Sequence, residues 1–204
     1  MPSTPVLQIR IGSSIREVQH LSDIKFSLDK KDDNSSVILD QPATVKYVDT
    51  EGAFTLPPTR YVWISQAAGI VTGFSTTPQL DYLDLPEANS LANTLVHLIN
   101  QSGWKIIQTF PGDLAVLQQM VRESDPEGFF EKSYGKWRLR SNELSISVKR
   151  QWDGQANVRR QVFLVNVEVD DTRLADEQSD KVYARRKQQN GSLDKPVPLS
   201  EWLK

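Results

Sequence analysis

One amphipathic helix near the middle of the chain constrains the fold more than any other feature of the sequence. Asp84, Pro86 and Glu87 are the residue types of a helix start, because an N-cap carboxylate, a first-turn proline and a glutamate at the third position all favour one. Apolar residues then recur at helical spacing until Gly103, at Ala88, Leu91, Ala92, Leu95, Leu98 and Ile99. The sequence therefore predicts a helix over most of 84–103, with one stripe facing a core.

Short segments with β character precede this helix and are separated by turn residues. After a first strand, Ser14 and Glu17 form a capping-box pattern, so the Gly12-Ser13-Ser14 turn is expected to start a short helix rather than to hold a phosphate. Residues 32–36 and Pro57-Pro58 are expected to be loops. The predicted strands are 24–28, 37–39, 44–48, 60–65 and 70–75.

The second half of the chain repeats this plan. A strand at 104–110 and a short amphipathic helix at 113–122 are expected to lead into a meander, with a hairpin turn at 152–155. The strands predicted for the meander are 137–140, 144–152 and 161–169. A helix followed by antiparallel strands in each half predicts an α+β fold, in which antiparallel sheets pack with two or three amphipathic helices.

The domain organisation follows from the same pattern. The fold is expected to consist of two helix-plus-meander halves at 1–80 and 81–171, or of one domain that combines them. Residues 172–204 are rich in charge, Gln and Pro and lose the periodicity. We expect a charged tail that either wraps the domain or stays partly disordered.

Composition excludes several kinds of chemistry. The chain has no cysteine, which removes thiol nucleophiles, disulfides, thiolate zinc sites and iron–sulfur clusters. No apolar run approaches the ~20 residues that a membrane-spanning helix needs, so no membrane span is expected. A net charge of −2 gives no overall field that would attract nucleic acid.

No motif predicts catalysis, a cofactor or a metal site. His97 falls on the polar face of the central helix and His20 near the end of the first helix, so both are expected to be solvated. The chain has neither a G-x-S-x-G elbow nor a phosphate-binding loop, and adjacent carboxylates such as Asp170 and Asp171 are also expected to be solvated. We therefore expect a protein that is not an enzyme. The alternative is a hydrolase with an unrecognised carboxylate or serine constellation.

The clearest charge pattern in the sequence lies between Lys136 and Arg160, a range that contains seven Lys or Arg residues and two acidic residues. Strand alternation places apolar side chains on one face of this meander and basic side chains on the other. The two interpretations are an ordinary solvated face and a surface for an anionic partner. An acidic protein fits better than nucleic acid, since interleaved exposed aromatic residues are not evident. The predicted partner-binding residues are Arg138, Arg140, Lys149, Arg150 and Arg60.

The first part of the chain resembles a known class of small bacterial domains. The helix opening at Gly12, Ser13, Ser14, Glu17 and Val18, followed by antiparallel strands, is similar to that of the SmpA/OmlA and beta-lactamase-inhibitor-like class, with 69–74 in the place of the last strand. Members of that class are commonly envelope proteins that bind other proteins. The helix-plus-sheet organisation without an active site is also similar to that of bacterial toxin immunity proteins.

This resemblance implies a function in binding another protein. The most concrete expectation is an immunity or inhibitor protein that neutralises a bacterial toxin by occluding its active site; the alternatives are the hydrolase above and an envelope scaffold or adaptor. The chain starts without a signal peptide and lacks the lipid-carrying cysteine of the lipoprotein members. The resemblance nevertheless implies the bacterial periplasm or envelope, with a signal or anchor removed; the alternative is the cytoplasm. The partner and the oligomeric state stay open.

Overall fold

The computed structural model describes residues 4–26, 34–39, 41–110, 112–153 and 160–190. Four helices and two sheets account for most of these residues, which confirms the predicted α+β class. In chain order the elements are β1 (Val6–Ile9), α1 (Ile15–Leu21), β2 (Asn34–Leu39), β3 (Ala43–Tyr47), β4 (Phe54–Thr59), β5 (Val62–Ala67), β6 (Ile70–Thr76), α2 (Leu85–Gln101), β7 (Lys105–Thr109), α3 (Leu114–Glu123), β8 (Glu131–Leu139), β9 (Asn142–Asp153), β10 (Arg160–Asp170) and α4 (Thr172–Asn190).

The larger sheet has seven strands in the order β2-β5-β6-β10-β9-β8-β7, and every neighbouring pair in it is antiparallel. The smaller sheet has the order β1-β3-β4, with β1 parallel to β3. Strands from both sides of residue 80 join the larger sheet where β6 pairs with β10. The boundary expected between 1–80 and 81–171 therefore falls within a single sheet.

One continuous core lies between the two sheets and α2. This helix packs against β8, β9 and β10 of the larger sheet and also contacts β4 of the smaller one. An aromatic cluster joins the layers, because Tyr47 stacks on Phe54 with ring centroids 5.2 Å apart and lies 5.7 Å from the ring of Trp104. The Trp104 indole nitrogen donates a 2.8 Å hydrogen bond to the Gly52 carbonyl, which satisfies its polar atom inside the core.

Local sequence signals place the first two helices as predicted. The Asp84 carboxylate accepts a 2.8 Å hydrogen bond from the backbone of Glu87, whose side chain accepts one of 3.0 Å from the Asp84 backbone in return. At α1, the Ser14 hydroxyl accepts a 3.1 Å bond from the Glu17 backbone. Each contact satisfies an N–H group that a helix start leaves without a partner. The capping predictions for Asp84 and Ser14 are confirmed.

Two predicted loops contain strand residues, and both predictions are wrong at those positions. Residues 34–36 of the loop predicted at 32–36 begin β2. Pro57 and Pro58 lie inside β4, which is possible because β4 is the edge strand of the smaller sheet and needs no N–H groups on its open side. The charged tail, expected to wrap the domain or to stay partly disordered, begins with α4, in which Val182 is 2% exposed and which packs against β5 and β6.

Some predicted elements lie at the limits of the described residues. Residues 24–26 of the first predicted strand after α1 do not form a strand. The hairpin turn predicted at 152–155 falls largely outside the described residues, as does the tail beyond 190.

Candidate functional site

The face of the larger sheet that points away from α2, called here the outer face, carries Arg138 and Lys149, two of the five predicted partner-binding residues. On β10, Val165 and Val167 are buried in the core, so the intervening positions such as Leu164 and Glu168 project to the outer face. On β5, Trp63 is 38% exposed between the buried Val62 and Ile64. Helix α4 packs mainly against β5 and β6, and on the rest of this face Lys136, Arg138 and Glu143 are exposed.

The two arginines at the end of β8 are exposed but paired with acids. Arg138 forms an ion pair with Glu143, its cross-strand neighbour on β9. Arg140 lies in the β8–β9 turn with φ of 56° and forms an ion pair with Asp49. Partial burial acts to raise the pKa of Asp49, but the Glu51 backbone N–H and the Arg140 charge outweigh it and hold the pKa below its ordinary value.

Lys149 projects from β9 to the outer face, where its amino nitrogen lies 3.5 Å from a carboxylate oxygen of Glu131. Each of the three exposed basic residues predicted on the meander is therefore matched by an acidic neighbour. The strongly basic face expected from the sequence is corrected to one of mixed charge, because the acids come from β8, β9 and the loop after β3.

Arg150 does not belong to the predicted partner-binding surface. Its side chain is only 7% exposed, and its guanidinium donates hydrogen bonds of 3.1 Å to the Ser124 hydroxyl and 2.6 Å to the Gly128 carbonyl. It also lies 5.8 Å from the centre of the Phe130 ring. Position 150 shares the inner side of β9 with Val148, so its function is to hold the 124–128 loop onto the sheet.

Arg60, the fifth predicted residue, borders an open groove of about 710 Å³. We call it the Arg60 groove; its lining residues are Arg60, Tyr61, Thr77, Gln79, Leu80, Asp81, Tyr82, Gln151 and Leu164. The Arg60 side-chain Nε donates a 2.7 Å hydrogen bond to the Leu80 carbonyl, which fixes it against the opposite wall. Tyr61, Leu80 and Tyr82 are 38%, 42% and 47% exposed. No local pattern in the sequence predicts that these side chains come together.

Gln79 makes the wall of the Arg60 groove rigid. Strand β6 pairs with β10 only at residues 167–170, so the backbone of β10 before that point has no strand partner on this side. The Gln79 amide supplies one, since its oxygen accepts a 2.8 Å bond from the Val165 N–H and its nitrogen donates a 3.1 Å bond to the Phe163 carbonyl. The neighbouring Leu83 backbone also pairs with Phe163. The loop that carries the exposed side chains of residues 80–82 is therefore held in place by these hydrogen bonds.

A second groove, of about 420 Å³, lies between the outer face and the start of α4. We call it the carboxyl groove; its lining residues are Ser65, Thr72, Lys136, Glu143, Leu144, Ser145, Glu168, Asp170, Asp171, Thr172 and Ala175. Burial, together with the charge and hydrogen bond of neighbouring Glu168, raises the pKa of Asp170 to about 8. A Cβ at Gly73 would come within 1.8 Å of an Asp170 carboxyl oxygen, so only glycine leaves room there.

Asp170 and Asp171 have different environments, although both were expected to be solvated. Asp171 is 5% exposed, and its carboxylate accepts bonds of 2.9 Å from the Leu174 N–H and 2.5 Å from the Ser141 hydroxyl. It therefore caps α4. Both residues line the carboxyl groove, but Asp170 is the one that forms a hydrogen bond with another acid, Glu168. The expectation that the two carboxylates are solvated is therefore wrong for Asp170 and for Asp171.

The histidines lie apart from both grooves. His97 is exposed on α2 and hydrogen-bonds to Gln101 at 2.8 Å, and His20 is exposed in the last turn of α1. Within the described ranges, no group of three or more His, Cys, Asp or Glu side chains is arranged to hold a metal ion. No helix in the same part of the chain has the length and apolar character needed to cross a membrane.

Comparisons with family models, with curated proteins and with solved structures give no significant match to this chain. The resemblance to the SmpA/OmlA and beta-lactamase-inhibitor-like class and to immunity proteins therefore stays a prediction. The two grooves and the surface around them are the structural features that bear on function.

Proposed function

We propose that this protein is a non-catalytic protein-binding module, most concretely an immunity or inhibitor protein that neutralises a bacterial toxin by occluding its active site. The observation that supports this proposal is the Arg60 groove, where Tyr61, Leu80 and Tyr82 are exposed around an arginine on a braced loop. Tyrosine and arginine are enriched among the residues that contribute most to protein–protein binding. A periplasmic or envelope location would place the protein where such a toxin acts.

The rigidity of the groove favours tight binding. Because Gln79 and Arg60 already hold the 77–82 loop, little conformational freedom remains to be lost when a partner binds. A stable complex buries about 1,600 Å² in total, which is larger than this groove and would extend over the neighbouring outer face. Arg138, Arg140 and Lys149 would then belong to the polar rim, where they select an acidic partner more than they add affinity.

Inhibition in this proposal is steric. The loop bearing Leu80 and Tyr82 enters an acidic active-site cleft, Arg60 contributes a positive charge at its base, and the sheet face covers the entrance to substrate. No reactive group of the inhibitor takes part, which agrees with the absence of a catalytic motif from the sequence.

The test is capture followed by inhibition. The full chain is immobilised and exposed to native lysate of its source organism, the stoichiometrically retained protein is identified by mass spectrometry, and that protein is purified and its activity is titrated with the chain. Changing Tyr61→Ser and Tyr82→Ser together should weaken binding by at least about tenfold, as expected for central interface residues. Val116→Ser on α3 is the matched control, because Val116 is an apolar residue 54% exposed outside the groove.

The outcomes separate inhibition from binding alone. If the retained protein loses activity on adding the chain, and the double variant fails to inhibit it while the control succeeds, the proposal is supported. A retained protein whose activity is unaffected contradicts an inhibitor and favours the scaffold or adaptor. Equal binding by the double variant and the control excludes the Arg60 groove as the interface.

The carboxyl groove favours a hydrolase as a second candidate. A carboxyl group that keeps its proton at neutral pH beside a second carboxylate is the arrangement of a general acid and its partner base. Asp170 would donate the proton and Glu168 would activate water. Turnover of glycoside, ester or peptide substrates by the purified chain, abolished in Asp170→Asn and retained in the Tyr61 and Tyr82 double variant, would establish this alternative in place of the first.

A further inference from the structure

Strand β7 forms one edge of the larger sheet, and no strand in the described part of the chain pairs with its other side. Its only strand partner among the described residues is β8, and all five of its residues are exposed. Ile106 and Ile107 are 56% and 48% exposed, respectively. An edge strand with free backbone N–H and C=O groups and exposed apolar side chains is a template for pairing with another strand.

The open edge is also basic on the outer face. The register sets Lys105 opposite Arg138 and Gln108 opposite Lys136, so Lys105, Lys136 and Arg138 lie on the outer face of the two outermost strands. Arg138 is paired with Glu143, whereas Lys105 and Lys136 form no ion pair with any other described residue. Their charges are therefore available to a chain that lies alongside β7.

We propose that the β7 edge binds an extended acidic segment of another protein, which adds to the larger sheet as an eighth strand. The incoming strand would lie about 4.8 Å from β7 and form main-chain hydrogen bonds with it. Acidic side chains on its outer face would approach Lys105 and Lys136, and an apolar side chain on the other face would pack on Ile106. This surface is separate from the Arg60 groove, so the inference goes beyond the proposed function.

A second copy of this chain is a poor occupant for the same edge. Pairing β7 with itself would bring two sets of Lys105, Lys136 and Arg138 onto one sheet face, and like charges on neighbouring strands are destabilising. Charge complementarity therefore selects an acidic strand of a different protein, with modest affinity from the strand alone.

The experiment uses the full isotope-labelled chain and two synthetic peptides. The first is a blocked seven-residue peptide of alternating Val and Glu, and the second has Lys in place of every Glu. Backbone amide shifts are followed by NMR during titration of each peptide. The acidic peptide should shift the amides of 105–109 in a saturable way, and the basic peptide should bind at least about tenfold more weakly.

Two pairs of variants test which feature of the edge binds. Lys105→Glu should weaken the acidic peptide at least about fivefold, and Lys46→Glu, an exposed lysine on β3 of the smaller sheet, should leave it unchanged. Ile106→Ser should also weaken it, and Val116→Ser should not. The Tyr61→Ser and Tyr82→Ser double variant should bind the peptide as the wild type does. A loss of peptide binding at the β7 edge can therefore be distinguished from a loss of partner binding at the Arg60 groove.

Three results would overturn the inference. The first is the absence of shifts in 105–109 at millimolar acidic peptide. The second is equal binding of the acidic and basic peptides, which would mean that charge does not select the strand. The third is a concentration-dependent change in the same amides without peptide, together with a dimer in sedimentation, which would assign the edge to a second copy of the chain.

Discussion

The protonated carboxyl of Asp170 makes a specific prediction about how stability changes with pH. In the unfolded chain this group releases its proton at the ordinary pKa of 3.8, but in the folded protein it holds the proton until about pH 8. The folded state therefore binds more protons between these two values, so the free energy of unfolding must fall as pH rises through this window. Below about pH 4 both states are protonated and this contribution to the pH dependence is absent.

The magnitude follows from the size of the shift. Each pKa unit corresponds to about 1.4 kcal/mol, so about four units give an upper bound of ~6 kcal/mol. The carboxyl groove is open to water, which screens the interaction with Glu168. We expect the wild type to lose about 2–3 kcal/mol between pH 5 and pH 8 from this group.

Asp170→Asn should remove that loss. The amide introduced at position 170 cannot ionise, and it can still donate a hydrogen bond to Glu168. The variant should therefore be about 2–3 kcal/mol more stable than the wild type at pH 8, and its stability should be similar to that of the wild type near pH 4. The assay is urea unfolding followed by tryptophan fluorescence at several pH values. Glu51→Gln is the control, because it removes an exposed carboxylate of the loop after β3. The reasoning is refuted if Asp170→Asn has the same pH slope as the wild type.

Three substitutions test the local structure of the site. Gly73→Ala should lower the free energy of unfolding by about 1–3 kcal/mol, because its Cβ would displace the Asp170 carboxyl; unchanged stability in urea would contradict that contact. Gln79→Ala should cost about 2 kcal/mol and speed hydrogen exchange at the Val165 amide, which loses its acceptor; slow exchange there would show another partner. Arg150→Lys should cost about 2 kcal/mol, since one ammonium cannot reproduce the guanidinium contacts with the 124–128 loop. Limited proteolysis of that loop measures the effect, and wild-type resistance would contradict the assigned role.

Features that depend on near neighbours in the chain could be predicted from the sequence. The capping residues of α1 and α2 act within three positions, and the apolar stripe of α2 is a property of one helix. The alternation of β9 likewise predicted that Lys149 projects outward. The α+β class follows from these local patterns taken together.

Two elements were missed because their local signals point elsewhere. Pro57 and Pro58 usually interrupt strands, and they are tolerated in β4 only because that strand lies at the edge of the smaller sheet. Helix α4 has few apolar residues, so no stripe marks it, and it is held by its Asp171 cap and by packing on β5 and β6.

The sequence by itself determined α1, α2, α3 and most of the strands, and it limited the reactive groups to carboxylates, hydroxyls, two histidines and basic side chains. Only the tertiary structure decided that Arg150 is buried, that Asp170 lies beside Glu168 over Gly73, and that the Arg60 groove exists. The physical reason is that burial, charge pairing and groove shape depend on strand order and register across the sheet. Those contacts join residues far apart in the chain, which local patterns do not encode.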